Sequence, residues 1–146
     1  MVDRTRGRWP ALAIAALAAA LGIYLALSQG GEAKLKRAQD DVRVGRSAQA
    51  LADLKGVDGQ VSGRAAAVRG YAYLMSGRDE LAARQLDRAA RNAPNDWQLQ
   101  RDYAVVLRTL GRRAEARARM RRAVALNPLM ALPPGFRRAR APAASP

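Results

Sequence analysis

The chain has 146 residues, contains neither cysteine nor histidine, and carries a formal net charge of +14 from 26 Lys and Arg against 12 Asp and Glu. The missing residue types exclude disulfides, thiolate nucleophiles, the common zinc sites and a histidine general base. The length allows one small domain with additional segments, and the charge favours acidic partners, anionic lipid or nucleic acid.

Residues 10–27 form an uncharged run, PALAIAALAAALGIYLAL, after Arg4, Arg6 and Arg8. A helix of about 18 residues spans about 27 Å, close to the hydrocarbon thickness of a bilayer. We therefore predict that residues 1–28 are a signal-anchor, or transmembrane, segment. The abundance of Arg and Ala together indicates a GC-rich bacterial genome. The predicted location is the bacterial inner membrane, single-pass, with a cytoplasmic N-terminus and a periplasmic domain.

A cleavable signal peptide is the alternative interpretation of the same segment. Ala26, Leu27 and Ser28 resemble the small-x-small site that precedes a cleavage point. Cleavage before Gln29 would release an exported soluble protein. Both interpretations place the rest of the chain outside the cytoplasm.

Residues 29–62 are predicted to be a linker followed by a degenerate helical hairpin that caps the fold. One helix is expected over 32–44 and a second over 48–54, with a turn at Gly45 and an N-cap at Ser47. This hairpin is displaced by two residues from the repeat that follows it.

Five pairs of residues in the next stretch recur at a spacing of 34 residues. They are Gly77 and Gly111, Ala82 and Ala116, Leu86 and Met120, Ala89 and Ala123, and Pro94 and Pro128. A 34-residue period indicates stacked helical hairpins. Glycine permits the reversal after the first helix of each hairpin, and proline prevents continuation of the second. The predicted fold is all-α: an N-terminal transmembrane helix, the degenerate hairpin, and a short α-solenoid of two clear hairpins.

These two units, 63–96 and 97–130, resemble the tetratricopeptide repeat (TPR) family. The first unit matches that family at Gly70, Tyr73, Gly77, Ala82, Leu86, Ala89 and Pro94, and the second at Tyr103, Ala104, Leu107, Gly111, Ala116, Met120, Ala123 and Pro128. It departs from the family at Ala66 and Gln100, where an aromatic is expected, and at Arg69. Residues 131–146, rich in Pro, Ala and Arg, are predicted to be a flexible tail, with Phe136 docking on the last hairpin.

The resemblance implies a groove lined by the first helix of each hairpin. The corresponding residues of this chain are Arg64, Tyr71, Leu74, Met75, Gln98, Arg101, Val105 and Arg108. Arginine beside Tyr, Leu and Met would suit a peptide or helix that carries an acidic group. The alternative is that Tyr71 and Leu74 pack against the neighbouring hairpin.

A second basic feature surrounds the Ala116–Met120–Ala123 stripe. It consists of Arg112, Arg113, Arg117, Arg119, Arg121 and Arg122. It is interpreted either as a solvated face or as an electrostatic patch for anionic lipid. Nucleic acid is a less favoured partner, because no stacking aromatics alternate with these cations.

No arrangement of residues indicates a catalytic site, a metal site or a cofactor, so we do not expect an enzyme. The expected function is that of a membrane-anchored TPR scaffold in a bacterial envelope assembly, such as a secretion, pilus, cytochrome-maturation or cell-wall machinery. The alternative from another class is a basic polyanion-binding or nucleic-acid-binding helical repeat.

Overall fold

A computed structural model describes residues 30–57 and 61–136, and all regular structure within these ranges is helical. The helices are α1 (30–43), α2 (Ser47–Asp53), α3 (Ser62–Met75), α4 (Asp79–Asn92), α5 (Trp97–Thr109) and α6 (Arg113–Leu126). They form three successive hairpins, α1–α2, α3–α4 and α5–α6. The prediction of an all-α helical repeat is therefore confirmed for the described ranges.

The same backbone turn closes all three hairpins. Gly45, Gly77 and Gly111 have φ angles of 83°, 68° and 75°, a region that glycine occupies at little cost. The next residue in each turn donates its N–H to the carbonyl five residues earlier: Arg46 to Asp41 at 2.8 Å, Arg78 to Tyr73 at 2.9 Å and Arg112 to Leu107 at 2.9 Å. These bonds satisfy carbonyls at the ends of α1, α3 and α5. The first hairpin therefore has the turn of the other two, although its sequence is displaced from their register.

Each hairpin places a small residue of its first helix beside a large apolar residue of its second. Gly70 lies against Leu86 so closely that a Cβ atom at position 70 would be 2.8 Å from Cδ2 of Leu86. Ala104 and Met120 share a buried cluster in the last hairpin, as do Ala38 and Leu54, the residue directly after α2, in the first. Small residues permit this close approach of two helices.

The alanines of the predicted repeat are buried between helices. Ala82, Ala89, Ala116 and Ala123 are 0%, 1%, 1% and 0% exposed. Ala82, Ala89 and Ala116 belong to a cluster that runs from α3 through α6, and Ala123 to one that joins α5 and α6 to Met130. The alanines that recur at the 34-residue spacing therefore lie at packed helix faces.

The starts of α5 and α2 involve different side-chain contacts. The side chain of Asp96 accepts a hydrogen bond from the N–H of Leu99 at 3.1 Å and so caps the start of α5. Ser47 is the first residue of α2 rather than its N-cap, which is Arg46. Its hydroxyl is bonded to that of Ser76 at 3.0 Å and is thus engaged with the next hairpin.

Arg69 shows how the chain accommodates a departure from the repeat pattern. It occupies the position that Tyr103 holds in the last hairpin, and its Nη2 donates to the carbonyls of Leu54 and Val57 at 2.7 and 3.0 Å. A cation bonded to the last carbonyls of a helix is stabilising. Arg69 therefore fastens α3 to the end of α2.

No helix within residues 30–57 and 61–136 is long and apolar enough to cross a membrane. The longest of α2 to α6 have 14 residues, whereas a span needs about 20 apolar ones. This finding corrects two predictions: the fold class that combined a transmembrane helix with the solenoid, and the location as a single-pass inner-membrane protein. The segment on which both predictions depended, residues 10–27, lies outside the described residues.

Candidate functional site

The first helices of the three hairpins are linked side by side through their side chains. Nη1 of Arg64 on α3 donates to Oε1 and Oε2 of Glu32 on α1 at 2.8 and 3.1 Å. The hydroxyl of Tyr71 on α3 donates to Oδ2 of Asp102 on α5 at 2.9 Å. We call the surface formed by α1, α3 and α5 around these residues the first-helix face. The predicted groove residues lie on it.

The hydrogen bond between Tyr71 and Asp102 links α3 to α5. Tyr71 is partly buried against the core cluster of α3 to α6. Burial, and secondarily the negative charge of Asp102, raise the pKa of Tyr71 well above its usual value. Its hydroxyl therefore stays protonated over the physiological range and remains a donor to the carboxylate.

Arg101 is held in place by two neighbours on α5. Its Nη2 lies 2.7 Å from Oδ1 of Asp102, and its guanidinium lies over the ring of Trp97 at 5.3 Å from the centroid. A stacked guanidinium in an ion pair is a preorganised donor, because little side-chain entropy remains to be lost on binding. Asp102 balances part of its charge, so only the remaining N–H groups are available to a ligand.

The sequence did not identify Asp102 as a site residue. An acidic residue beside Arg101 reads as a local surface ion pair, and 31 residues separate Asp102 from Tyr71. The signal that could have found it is the repeat itself, which places α3 and α5 next to each other. Trp97 is partly buried against the cluster of the last hairpin, and its ring also stacks on Arg101.

Apolar side chains are exposed at the turn end of this face. Leu74 and Met75 at the end of α3 are 37% and 50% exposed, and Val44 beside the first turn is 62% exposed. Met75 extends towards Gly45, next to Val44. Met75 and Val44 are therefore accessible apolar side chains close to one another at this end, and Leu74 is partly accessible.

The other predicted groove residues lie apart from one another. Gln98 is exposed at the start of α5, and Val105 is half-buried on the same helix. Arg108 is exposed but engaged by the chain itself: its Nη1 donates to the carbonyl of Pro134 at 2.8 Å, and its guanidinium lies over the ring of Phe136 at 5.7 Å. The face therefore offers Arg64, Tyr71, Leu74, Met75, Gln98, Arg101 and Val105, and shares Arg108 with residues 134–136.

Residues 130–136 pack on the last hairpin. Met130 is buried, and Leu132 and Phe136 lie against the clusters of α5 and α6. They cover an end of the stack where no further described hairpin follows. Phe136 therefore takes the position expected for it, while residues 137–146 of the predicted tail lie outside the described ones.

The predicted basic patch separates into two groups. Three of its arginines are engaged: Arg112 binds both carboxylate oxygens of Glu115, Arg119 lies 3.2 Å from Asp87 and over the ring of Tyr103, and Arg122 donates to Asn95. The hydrogen bond from Arg112 lowers the pKa of Glu115. The other three, Arg113, Arg117 and Arg121, are exposed and form no ion pair with the described residues.

Arg119 also explains the buried Gln100. Nη1 of Arg119 donates to Oε1 of Gln100 at 3.4 Å, and Nε2 of Gln100 donates to the carbonyl of Pro94 at 3.4 Å. A buried amide needs such partners, because an unpaired one costs free energy. Arg119 therefore serves the packing of α4, α5 and α6 rather than an open patch.

Within the described ranges, no group of three or more Asp, Glu, His or Cys residues could hold a metal ion.

Comparisons with protein-family models, with curated proteins and with solved structures gave no match for this chain. The contacts described above are therefore the basis for any assignment of function.

Proposed function

We propose that this chain is a protein-binding helical repeat of the TPR kind, and that its first-helix face accepts an extended peptide with an acidic residue. The main support is the network of Tyr71, Asp102, Arg101 and Trp97, which fixes a cation on the seam between two hairpins. Preformed sites with few mobile groups lose little entropy on binding. The role is binding and not catalysis.

The distribution of side chains on the face matches such a ligand. Arg101 and Arg64 supply guanidinium donors for a carboxylate, and the exposed Leu74 and Met75 supply contact area for an apolar residue. An extended chain rises about 3.3 Å per residue, so a peptide of roughly six residues extends over about 20 Å of this face. The predicted specificity is thus an acidic residue a few positions from an apolar one.

The predicted place of this module in an envelope assembly stays a prediction.

A random library of peptides of about twelve residues, long enough to cross the face, selected on the immobilised full chain tests this proposal. The selected peptides should share an acidic residue. Measured by fluorescence anisotropy, the affinity of these peptides should fall about tenfold in Arg101→Gln, because one charge-assisted pair is lost. The matched control is Arg84→Gln on α4, which removes the same charge from an exposed residue away from the face and should change the affinity less than about twofold. Equal losses in both variants would contradict the proposal.

A polyanion-binding repeat is the second candidate, because Arg113, Arg117 and Arg121 are exposed without an ion pair among the described residues. It predicts affinity for heparin or duplex DNA that falls steeply with salt. It also predicts that Arg84→Gln and Arg101→Gln have similar effects. The same pair of variants therefore separates the two candidates.

A further inference from the structure

Three arginines converge on a small cleft at the end of the stack. The cleft has a volume of about 230 Å³ and lies between α5, α6 and the segment that follows α6. Its lining consists of Arg108, Arg113, Ala116, Arg117, Gly135 and Phe136. Two of these arginines, Arg113 and Arg117, lie one turn apart on α6, on the same side of the helix.

Arg108 is held in this cleft by three contacts with residues 134–136, which follow α6. Its Nη1 donates to the carbonyl of Pro134 at 2.8 Å, and its guanidinium lies over the ring of Phe136. It also lies flat against Gly135, where a Cβ atom would overlap with the guanidinium and where φ is +84°. Glycine adopts this φ at little cost and leaves room for the guanidinium, which a larger residue would displace. A guanidinium has five N–H donors, so the remaining ones are free to bind a ligand.

The positive charge of the cleft is not balanced within the described part of the chain. Arg108, Arg113 and Arg117 form no ion pair with a described residue. The acidic residue of α6, Glu115, is bound through both oxygens by Arg112. Three like charges around one cleft repel one another, and an anion between them would relieve that repulsion.

The preceding hairpin shows that the fold itself does not require these cations. The residues 34 positions earlier are Leu74, Asp79 and Ala83. Ala83 is buried against α5, whereas Arg117 occupies the same position on the last hairpin, where no further described hairpin covers it. A neutral polar residue at each position would suffice to end the stack. Packing within the described residues therefore accounts for Arg108 but not for the charges of Arg113 and Arg117.

We propose that this cleft is an oxyanion site that binds a phosphate group, either free inorganic phosphate or a phosphorylated side chain. Planar guanidinium groups pair with two phosphate oxygens at once, and three of them match the several oxygens of a dianion. The site does not rest on the proposed peptide binding, because Arg113 and Arg117 lie on α6 and not on the first-helix face.

Isothermal titration of the full chain with inorganic phosphate at constant ionic strength tests the site. Saturable binding should be weakened about tenfold by Arg117→Gln and by Arg113→Gln, the loss of one charge-assisted pair each. The matched control, Arg121→Gln, removes the same charge from an exposed residue of α6 outside the cleft lining and should change the affinity less than about twofold. Circular dichroism of each variant checks that it is folded.

Gly135→Ala provides a second, charge-neutral test. It displaces the Arg108 guanidinium while it leaves every charge in place, so phosphate binding should weaken by about fivefold, the partial loss of one pair. Binding that depends only on the net charge would not change. Titration with a short phosphoserine peptide distinguishes the two ligands. A higher affinity for the peptide than for inorganic phosphate identifies a phosphorylated side chain as the ligand, and an equal or lower affinity identifies free phosphate. Failure of both probes to bind, or equal losses in Arg117→Gln and Arg121→Gln, would overturn the proposal.

Discussion

Gly70 of α3 lies so close to Leu86 of α4 that a Cβ atom on the glycine would be 2.8 Å from both Cγ and Cδ2 of the leucine. The fully buried leucine cannot move aside easily, because the core around it is close-packed. This contact sets the separation of the two helices in the middle hairpin.

Gly70→Ala should therefore destabilise the chain, although alanine is the better helix former. The overlap should outweigh the gain in helix propensity and lower the free energy of unfolding by about 1–2 kcal/mol. Urea denaturation measures the change. Gly30→Ala is the control: at the first described residue of α1, the added methyl meets no other described part of the chain within 4 Å, so this variant should be neutral or more stable. Stabilisation of both variants alike would contradict the close contact.

The partly buried Tyr71 and its hydrogen bond to Asp102 predict a loss of folding stability at high pH. An unfolded tyrosine loses its proton near pH 10, whereas the raised pKa of Tyr71 keeps the folded phenol protonated above that pH. The unfolded state then binds fewer protons than the folded state, so stability should fall as pH rises above about 10, by at most about 1.4 kcal/mol per pH unit.

Tyr71→Phe should remove this decline, and should cost about 0.5–1.5 kcal/mol below pH 10 through the lost hydrogen bond. Urea denaturation as a function of pH makes the comparison. Tyr73→Phe, on the same helix and also partly buried, should keep the decline. An unchanged pH profile in Tyr71→Phe would show that the tyrosine is not engaged in the folded state.

Arg119 should contribute to stability far more than other arginines of α6. Arg119→Met removes the ion pair with Asp87 and the contact with the Tyr103 ring, and leaves the buried Oε1 of Gln100 without its donor. We expect a loss of about 2 kcal/mol in urea denaturation. Arg121→Met, at an exposed position, should change stability by less than about 0.5 kcal/mol. Equal effects would mean that Arg119 is solvated.

The 34-residue spacing predicted the hairpins because each hairpin needs a glycine at its turn and small residues where its helices pack, and both requirements are local. Gly77, Gly111, Ala82 and Ala116 can be identified without knowledge of any distant contact. The first hairpin looked degenerate because its period differs by two residues. Its Gly45 turn nevertheless has the same backbone geometry, which depends only on the residues within the turn.

Contacts between hairpins were not predictable in the same way. The Tyr71–Asp102 bond depends on the lateral spacing of α3 and α5, which hydrophobic periodicity does not specify. The binding of Arg108 to Pro134 depends on the direction in which the chain returns after α6. The Pro-Pro-Gly sequence shows only that the helix ends there.

The stacked packing of the repeat is most directly tested by thiol labelling of single-cysteine variants, because the full chain contains no cysteine. Cysteines introduced by Ala82→Cys, Ala89→Cys, Ala116→Cys and Ala123→Cys should lie between helices, where the alanines are buried. Their labelling should be at least about 100-fold slower than that of Arg84→Cys and Arg121→Cys on the exposed sides of α4 and α6, because it requires a local opening that costs about 2.7 kcal/mol or more. Rates within a few-fold of those two controls would place the alanine stripe in water and contradict the hairpin packing.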